Sequence, residues 1–247
     1  MNENSRAFSA GRRVTGKALA WLVIWLAGPL LALWLQPTFV GVVLTVAFIW
    51  ICFSGFNLYF FRDPTPQVPT TPRAIVAPAH GLVDCVDEVP EPEFMRGVCR
   101  HVSIFLSVFD VHVQNAPVAG RIAFLRYQPG RFLNALKTES SRCNENVLIG
   151  IESSEQPGER IAVRQIAGLV ARRIVSWVNV GDSATRGQRL GLIQYGSRCD
   201  LYLPMSAQVT IKLGDRVVGG ETIVAIRGSS AEPLAQRPLR NPSFLPV

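Results

Sequence analysis

Residues 18–35, "ALAWLVIWLAGPLLALWL", carry no charge, and neither do residues 39–56, "FVGVVLTVAFIWICFSGF". At helical rise the first run spans ~27 Å, close to the hydrocarbon thickness of a bilayer. Only "QPT" separates the two runs, so residues 18–58 read as a membrane hairpin of two helices. A cleaved signal peptide is the competing reading of the first run, with Arg12, Arg13 and Lys17 as its basic start. Against it, the apolar core is too long, no A-x-A-like cleavage site follows, and a second apolar run comes at once. Arg6, Arg12, Arg13 and Lys17 precede the hairpin and Arg62 and Arg73 follow it. The positive-inside tendency then puts the basic N-terminus, residues 1–17, and the soluble remainder on the cytoplasmic side. Hydrophobic length alone licenses either a hairpin that spans the bilayer or one that dips into a single leaflet.

The 25 Lys and Arg against 18 Asp and Glu leave a net charge of +7. Anionic lipid is a natural partner, since a basic residue near such a leaflet gains about 1 kcal/mol. Nucleic acid is not expected, because the basic residues are scattered and no RNP, zinc-finger or helix-turn-helix signature accompanies them. The cysteines, Cys52, Cys85, Cys99, Cys143 and Cys199, are odd in number and never form C-x-x-C, which argues against a disulfide framework or a zinc site. Only His80, His101 and His112 offer imidazole, so no metal is expected.

Residues 59–73 contain "FFRDPTPQVPTTP", a proline-rich stretch that cannot be helical and reads as a stiff linker. Residues 74–228 change to short apolar stretches punctuated by glycine and proline, such as "AIVAPAHGLVDCV", "VSIFLSVFDVHV", "NVLIGI", "IAVRQIAGLVARRIV" and "ETIVAIR". Their length and β-branched content favour strands. "GRFLNALKTESSRCNEN" is the chief candidate helix, and residues 229–247 form a C-terminal tail. The expected fold is mostly β, in the α+β class, behind the hairpin. "VGDSATRGQRLGLI" (180–193) and "LGDRVVGGETIVAI" (213–226) echo each other, aligning Gly181 with Gly214, Asp182 with Asp215 and Gly187 with Gly220. Each copy reads as strand-turn-strand. Such repeats resemble the barrel-sandwich hybrid domains of lipoyl and biotinyl carriers, a likeness of fold and not of function. "LIQYGSRCDLYLP" (192–204) places Gly196 and Ser197 between two strand-like runs, where Asn-Gly or Asp-Gly would make the easier turn.

Several stretches taken together resemble one family. "FFRDP" after the hairpin, "APAHG", "SIFLSVFDVHVQNAP", "NEN", "QIAGLVARRI", "GD...RGQRLGLIQYGSRCDLYLP" and "GDRVVGGETIVAI" follow in order from about residue 59 to residue 227. They resemble phosphatidylserine decarboxylase proenzymes of the short form. The resemblance implies that the Gly196–Ser197 bond breaks itself, giving a β chain of residues 1–196 and an α chain of residues 197–247 that remain together as a heterodimer or a higher oligomer. Ser197 would become an N-terminal pyruvoyl group, which forms a Schiff base with the amino-acid head group of phosphatidylserine and takes up the electrons left by CO2, yielding phosphatidylethanolamine. No external cofactor would be needed.

The resemblance also assigns residues. His112 in "FDVHVQNAP" matches the family's proton-donating histidine; the alternative is a strand histidine with a structural hydrogen bond. Asp110, two residues earlier, is either its orienter or a strand-end solvent residue. Where the family usually has Ala-Asp-Gly, this chain reads Ala79-His80-Gly81. Either His80 is the base that deprotonates Ser197, or maturation is slow or lost. Long-form members carry a second histidine where this chain has Asn115. Asn134, Asn144 and Glu145 occupy family positions concerned with the pocket, with loop capping, the more frequent use of Asn, as the alternative, and Asn146 stands where an arginine is common. Arg172 and Arg173 are candidates for a lipid phosphate, with exposed strand-end charge as the alternative. Two rival functions stay in view: a catalytically silent paralogue, and a membrane-anchored lipoyl-like carrier or adaptor. The carrier needs an exposed lysine on a hairpin between its repeats, and "YGSRCDLYLPMSAQ" has none.

Overall fold

The computed structural model describes residues 21–23, 25–31, 40–130, 144–168, 173–194 and 197–228. Most of the candidate helix over 130–146, and all of the tail from 229, lie outside the described residues. Two apolar helices come first, α1 (Trp21–Leu31) and α2 (Val40–Phe60). The 21 residues of α2 make it long and apolar enough to cross a membrane, and no residue of its most apolar stretch is buried by the described residues. Trp25 of α1 meets Trp50 of α2 with ring centroids 6.2 Å apart.

The remainder is β, as its short β-branched stretches lead one to expect. Its strands are β1 (Ala74–Val76), β2 (Gly81–Glu91), β3 (Gly97–Leu106), β4 (Val113–Asn115), β5 (Gly120–Gln128), β6 (Asn146–Ser153), β7 (Arg160–Ala167), β8 (Ile174–Ser176), β9 (Ser183–Ala184), β10 (Arg189–Ile193), β11 (Ser197–Leu203), β12 (Gln208–Val209), β13 (Arg216–Val217) and β14 (Ile223–Ile226). They form an eight-stranded sheet in the order β13-β2-β3-β11-β7-β6-β5-β9 and two three-stranded sheets, β1-β14-β12 and β4-β10-β8. The main core includes Val102, Ile104, Leu106, Ile149, Val163, Ile193, Cys199 and Leu201. A smaller core of Phe94, Cys99, Leu148, Ala162 and Tyr202 covers the other face of the large sheet.

The internal echo is a structural duplication. Gly181 and Gly214 have φ of 98° and 90°, and Gly187 and Gly220 both have 76°, so each aligned pair sits in the left-handed region that favours glycine. Asp182 Oδ2 accepts from Asn179 N and Asp215 Oδ2 from Lys212 N, both at 2.8 Å. Gly187 N donates to Ala116 O and Gly220 N to Ala77 O, again both at 2.8 Å. Through β9 and β13 the two copies close the two ends of the eight-stranded sheet, which leaves neither edge to a long unpaired strand.

The proline-rich segment is a strap over these turns. Asp63 pairs with Arg189 at 2.6 Å, Gln67 N donates to Glu221 Oε1, and Arg186 donates to the carbonyls of Pro69 and Thr71. Gly187 and Gly220 let it lie close, since a Cβ at Gly187 would come within 2.3 Å of Val68 Cγ2 and one at Gly220 within 2.8 Å of Pro66 Cβ. Gly187→Ala therefore combines a strained φ with a clash, and should lower stability by about 1–3 kcal/mol. Gly97→Ala, where a Cβ meets nothing within 4 Å, should change it by less than about 0.5 kcal/mol. Thermal unfolding of the two variants in detergent checks the difference; equal melting temperatures would contradict the packing of the strap.

Candidate active site

Ser197 is the first residue of β11, and β11 is an inner strand of the large sheet. Its backbone pairs with Leu106 of β3 on one side and Ala167 of β7 on the other. Paired residues share a face and the face alternates along a strand, so Ser197, Cys199 and Leu201 point into the main core. Arg198, Asp200 and Tyr202 point the other way. Ser197 is 0% exposed, and its Oγ has no hydrogen-bond partner among the described residues. A buried hydroxyl without a partner costs about 1–3 kcal/mol, and a reactive role is one explanation for keeping it. Gly196, the other half of the expected cleavage site, lies outside the described residues, as do Asn134 and Arg172.

His112 comes to the same end of the sheet. The chain leaves β3 at Leu106, the ladder partner of Ser197, turns through residues 107–110 and reaches His112 before β4. The stretch "VSIFLSVFDVHV" is thus broken where an unbroken strand was expected. Asp110 is the cause: its Oδ2 accepts from Ser107 N at 2.8 Å and Ser107 Oγ at 2.7 Å, closing the turn, while its Oδ1 pairs with Arg216 at 3.3 Å. The Asp110 carboxylate is turned to Ser107 and Arg216 rather than to the imidazole, and it is the Asp110 backbone carbonyl that lies 2.9 Å from His112 Nδ1. The carbonyl of His112 accepts from Ile193 N at 3.2 Å, and Gln194 N donates to Arg173 O at 3.1 Å. These bonds fix Ile193 and Gln194, the last described residues before β11.

The end of α2 completes the wall. Phe60, 0% exposed, lies against the His112 ring with centroids 4.2 Å apart. Tyr59 Oη and Arg62 Nη2 both donate to Phe109 O, at 3.2 and 2.6 Å. This burial pushes the His112 pKa from 6.5 down to about 4, with Arg62 and His80 adding to the effect and Asp110 opposing it. With Nδ1–H on the Asp110 carbonyl, the neutral ring keeps its lone pair on Nε2.

His80 shares this corner. Its pKa is also lowered, by burial, against the opposing charges of Glu221 and Asp110, so at neutral pH it is an unprotonated base. A Cβ at Gly219 would lie 3.0 Å from His80 Cδ2 and 2.9 Å from Asn115 Oδ1; Asn115 itself donates to Gly187 O at 2.8 Å. Asn144 Nδ2 donates to Ala167 O, the carbonyl of the residue paired with Ser197, and Asn146 Nδ2 to Asn144 O. Glu145 carbonyl accepts from Ala167 N at 2.9 Å. "NEN" thus fastens the end of β7 beside Ser197.

Two features escaped the sequence reading. Gln114 Nε2 donates to His112 O at 2.7 Å and Gln165 Nε2 to Gln114 Oε1 at 2.8 Å; only the motif "QIAGLVARRI" hinted at Gln165. Behind Ser197, buried Arg198 pairs with Asp84 at 3.3 Å and Asp200 at 3.1 Å, and His101 sits 2.6 Å from Asp87 and 3.4 Å from Asp200. Burial opposes charge on His101, but the hydrogen bonds and charges of Asp200 and Asp87 outweigh it and raise the pKa. This network grips β11 from the face opposite the serine.

A β-sheet domain that opens its inner strand on a buried serine, with two imidazoles at the same end, has the layout of an enzyme site. The model of the phosphatidylserine decarboxylase family matches residues 53–225. A phosphatidylserine decarboxylase proenzyme of Ruegeria pomeroyi is 42% identical over 218 residues, 87% of this chain and 92% of the relative. Those of Desulfotalea psychrophila and Symbiobacterium thermophilum are 42% and 46% identical over 72% and 68% of this chain, and 83% and 78% of the relatives. The chain belongs to the phosphatidylserine decarboxylase family.

The depressed pKa of His112 has a measurable sign. Between about pH 4 and 6.5 the unfolded chain binds the proton more readily than the folded one, so this group's contribution is full above 6.5 and lost as pH falls to about 4. The amount is ~3 kcal/mol. Urea unfolding in detergent should show the wild type losing that much more than His112→Gln between pH 7 and 4; parallel pH profiles would contradict the buried neutral ring.

Proposed function

We propose that this chain is a membrane-attached, pyruvoyl-dependent enzyme that cuts itself between Gly196 and Ser197 and then converts phosphatidylserine to phosphatidylethanolamine and CO2 in phospholipid biosynthesis. The buried Oγ of Ser197, at the head of an inner strand and without a hydrogen-bond partner among the described residues, is the observation that carries the reading. Ser197 Oγ adds to the Gly196 carbonyl and displaces its own nitrogen, giving an ester. Loss of the Ser197 α-proton expels the Gly196 carboxylate, and one water replaces one ammonia to leave the pyruvoyl group. His80, neutral and beside this corner, is the base we assign to the Oγ proton.

The pyruvoyl carbonyl supplies an electrophile for the head-group amine and a sink for the electrons left when CO2 departs. His112 moves the proton. Its Nε2 is unprotonated at pH 7, so it takes a proton from the head-group ammonium and returns it to the carbon that has lost CO2. Asp110, through its carbonyl, holds the ring for both transfers.

The strand order supports survival of the complex after cleavage. The α chain would contribute β11, β13 and β14, which pair with β3, β7, β2 and β1 of the β chain. The Trp25–Trp50 contact supports a hairpin of α1 and α2, and the Phe60–His112 contact supports a site close to the end of a membrane helix. The β-rich body, residues 74–228, then works at the cytoplasmic surface of the inner membrane with serine phospholipid as its substrate. The duplicated turns support a barrel-sandwich-hybrid-like body.

Three variants test the assignments on a denaturing gel and by CO2 release. Ser197→Ala should stay in one piece. His112→Ala should split but release CO2 at least about a hundredfold more slowly. His80→Ala should split more slowly than wild type; splitting at the wild-type rate would remove His80 from the mechanism, and full CO2 release by His112→Ala would remove His112.

A further inference from the structure

Of the buried side-chain atoms on the inner face of β7 and β11, two have no hydrogen-bond partner among the described residues: Ser197 Oγ and Gln165 Oε1. Gln165 pairs with Cys199 in the β7–β11 ladder and Ala167 pairs with Ser197. Gln165 and Ser197 are therefore diagonal neighbours on one face, within reach of a long side chain. Gln165 is 0% exposed.

Which atom of its amide is left over follows from the network. The carbonyl of His112 can only accept, so the Gln114 atom at 2.7 Å is its nitrogen. Gln114 Oε1 is then the atom that faces Gln165, and the Gln165 atom 2.8 Å away must be the donor, Nε2. Gln165 Oε1 remains as an acceptor. Gly191 makes room for this arrangement, since a Cβ there would lie 2.9 Å from Gln165 Nε2. The other amides nearby are engaged: Asn115 Nδ2 with Gly187 O and Asn144 Nδ2 with Ala167 O.

A pyruvoyl group offers only acceptors, whereas a serine or ethanolamine head group brings N–H donors. A buried acceptor held in a fixed direction beside the reacting serine is the complement of such a donor. We propose that Gln165 Oε1 receives a hydrogen bond from the amine of the lipid head group, and that Gln114 holds the amide in that direction from the carbonyl of His112. The inference rests on the function proposed above and adds its selectivity for an amine. Gln165 is thus a binding residue, and Gln114 a positioning residue.

The test is equilibrium binding to the self-cleaved full chain, by calorimetry with two short-chain lipids. Dihexanoyl phosphatidylethanolamine carries the amine; dihexanoyl phosphatidylglycerol keeps the phosphate and lacks it. The self-cleaved Gln165→Met chain should lose about tenfold or more in affinity for the ethanolamine lipid and bind the glycerol lipid unchanged. Equal losses for both lipids, or no loss for either, would overturn the inference. Should Gln165→Met not fold, Gln165→Glu carries the test: a carboxylate facing the ammonium should raise the ratio of the two affinities severalfold, and an unchanged ratio overturns it. A wild-type chain that never splits would instead remove the proposed function, and this inference with it.

Discussion

The structure depends on where β11 sits. A strand with neighbours on both sides contributes two ladders of hydrogen bonds, and β11 has β3 on one side and β7 on the other from its first residue. A backbone break just before such a strand leaves its ladders untouched, whereas the same break before an edge strand would free a fraying end. The back of the strand is held as firmly. Arg198 and Asp200 are almost fully buried and engage Asp84 and His101, an arrangement in which removing one partner leaves an uncompensated charge. The chemistry proposed for Ser197 requires this rigidity, because the group it would create must stay where the hydroxyl was.

The duplicated turns set the position of everything around that strand. Each copy ends one edge of the large sheet and returns through a smaller one, so β10 brings Ile193 to the carbonyl of His112. The strap that follows α2 crosses both copies at their glycines. The helix end, the turn at Asp110 and the imidazole of His112 are consequently one packed unit, joined by Phe60, Tyr59 and Arg62.

Much of this was legible in the sequence, for identifiable reasons. The apolar runs and the Gly-Asp turns are local signals, governed by helix length and by φ at single glycines; the second run forms α2, and the Gly-Asp turns appear where expected. Ser197 and His112 were singled out because their motifs resemble a family, and the fold brings them to one end of one sheet. Local pattern misled at Asp110, where a turn closed by its own carboxylate interrupts an apolar run that reads as strand. It was silent about Gln114 and Gln165, about the strap, and about the ion pairs behind β11, all of which join residues far apart in the chain. Gln114 and Gln165, for instance, are 51 positions apart, and only the pairing of strands brings such residues together.

The central claim is that one peptide bond, at the entrance to an inner strand, is converted into a reactive ketone. The intact mass of the purified wild-type protein under denaturing conditions tests it directly. The account predicts two chains, residues 1–196 and 197–247, with the smaller one lighter than its sequence by one ammonia and reactive toward hydroxylamine. A single chain, or a smaller fragment beginning with an ordinary serine amine, would contradict it.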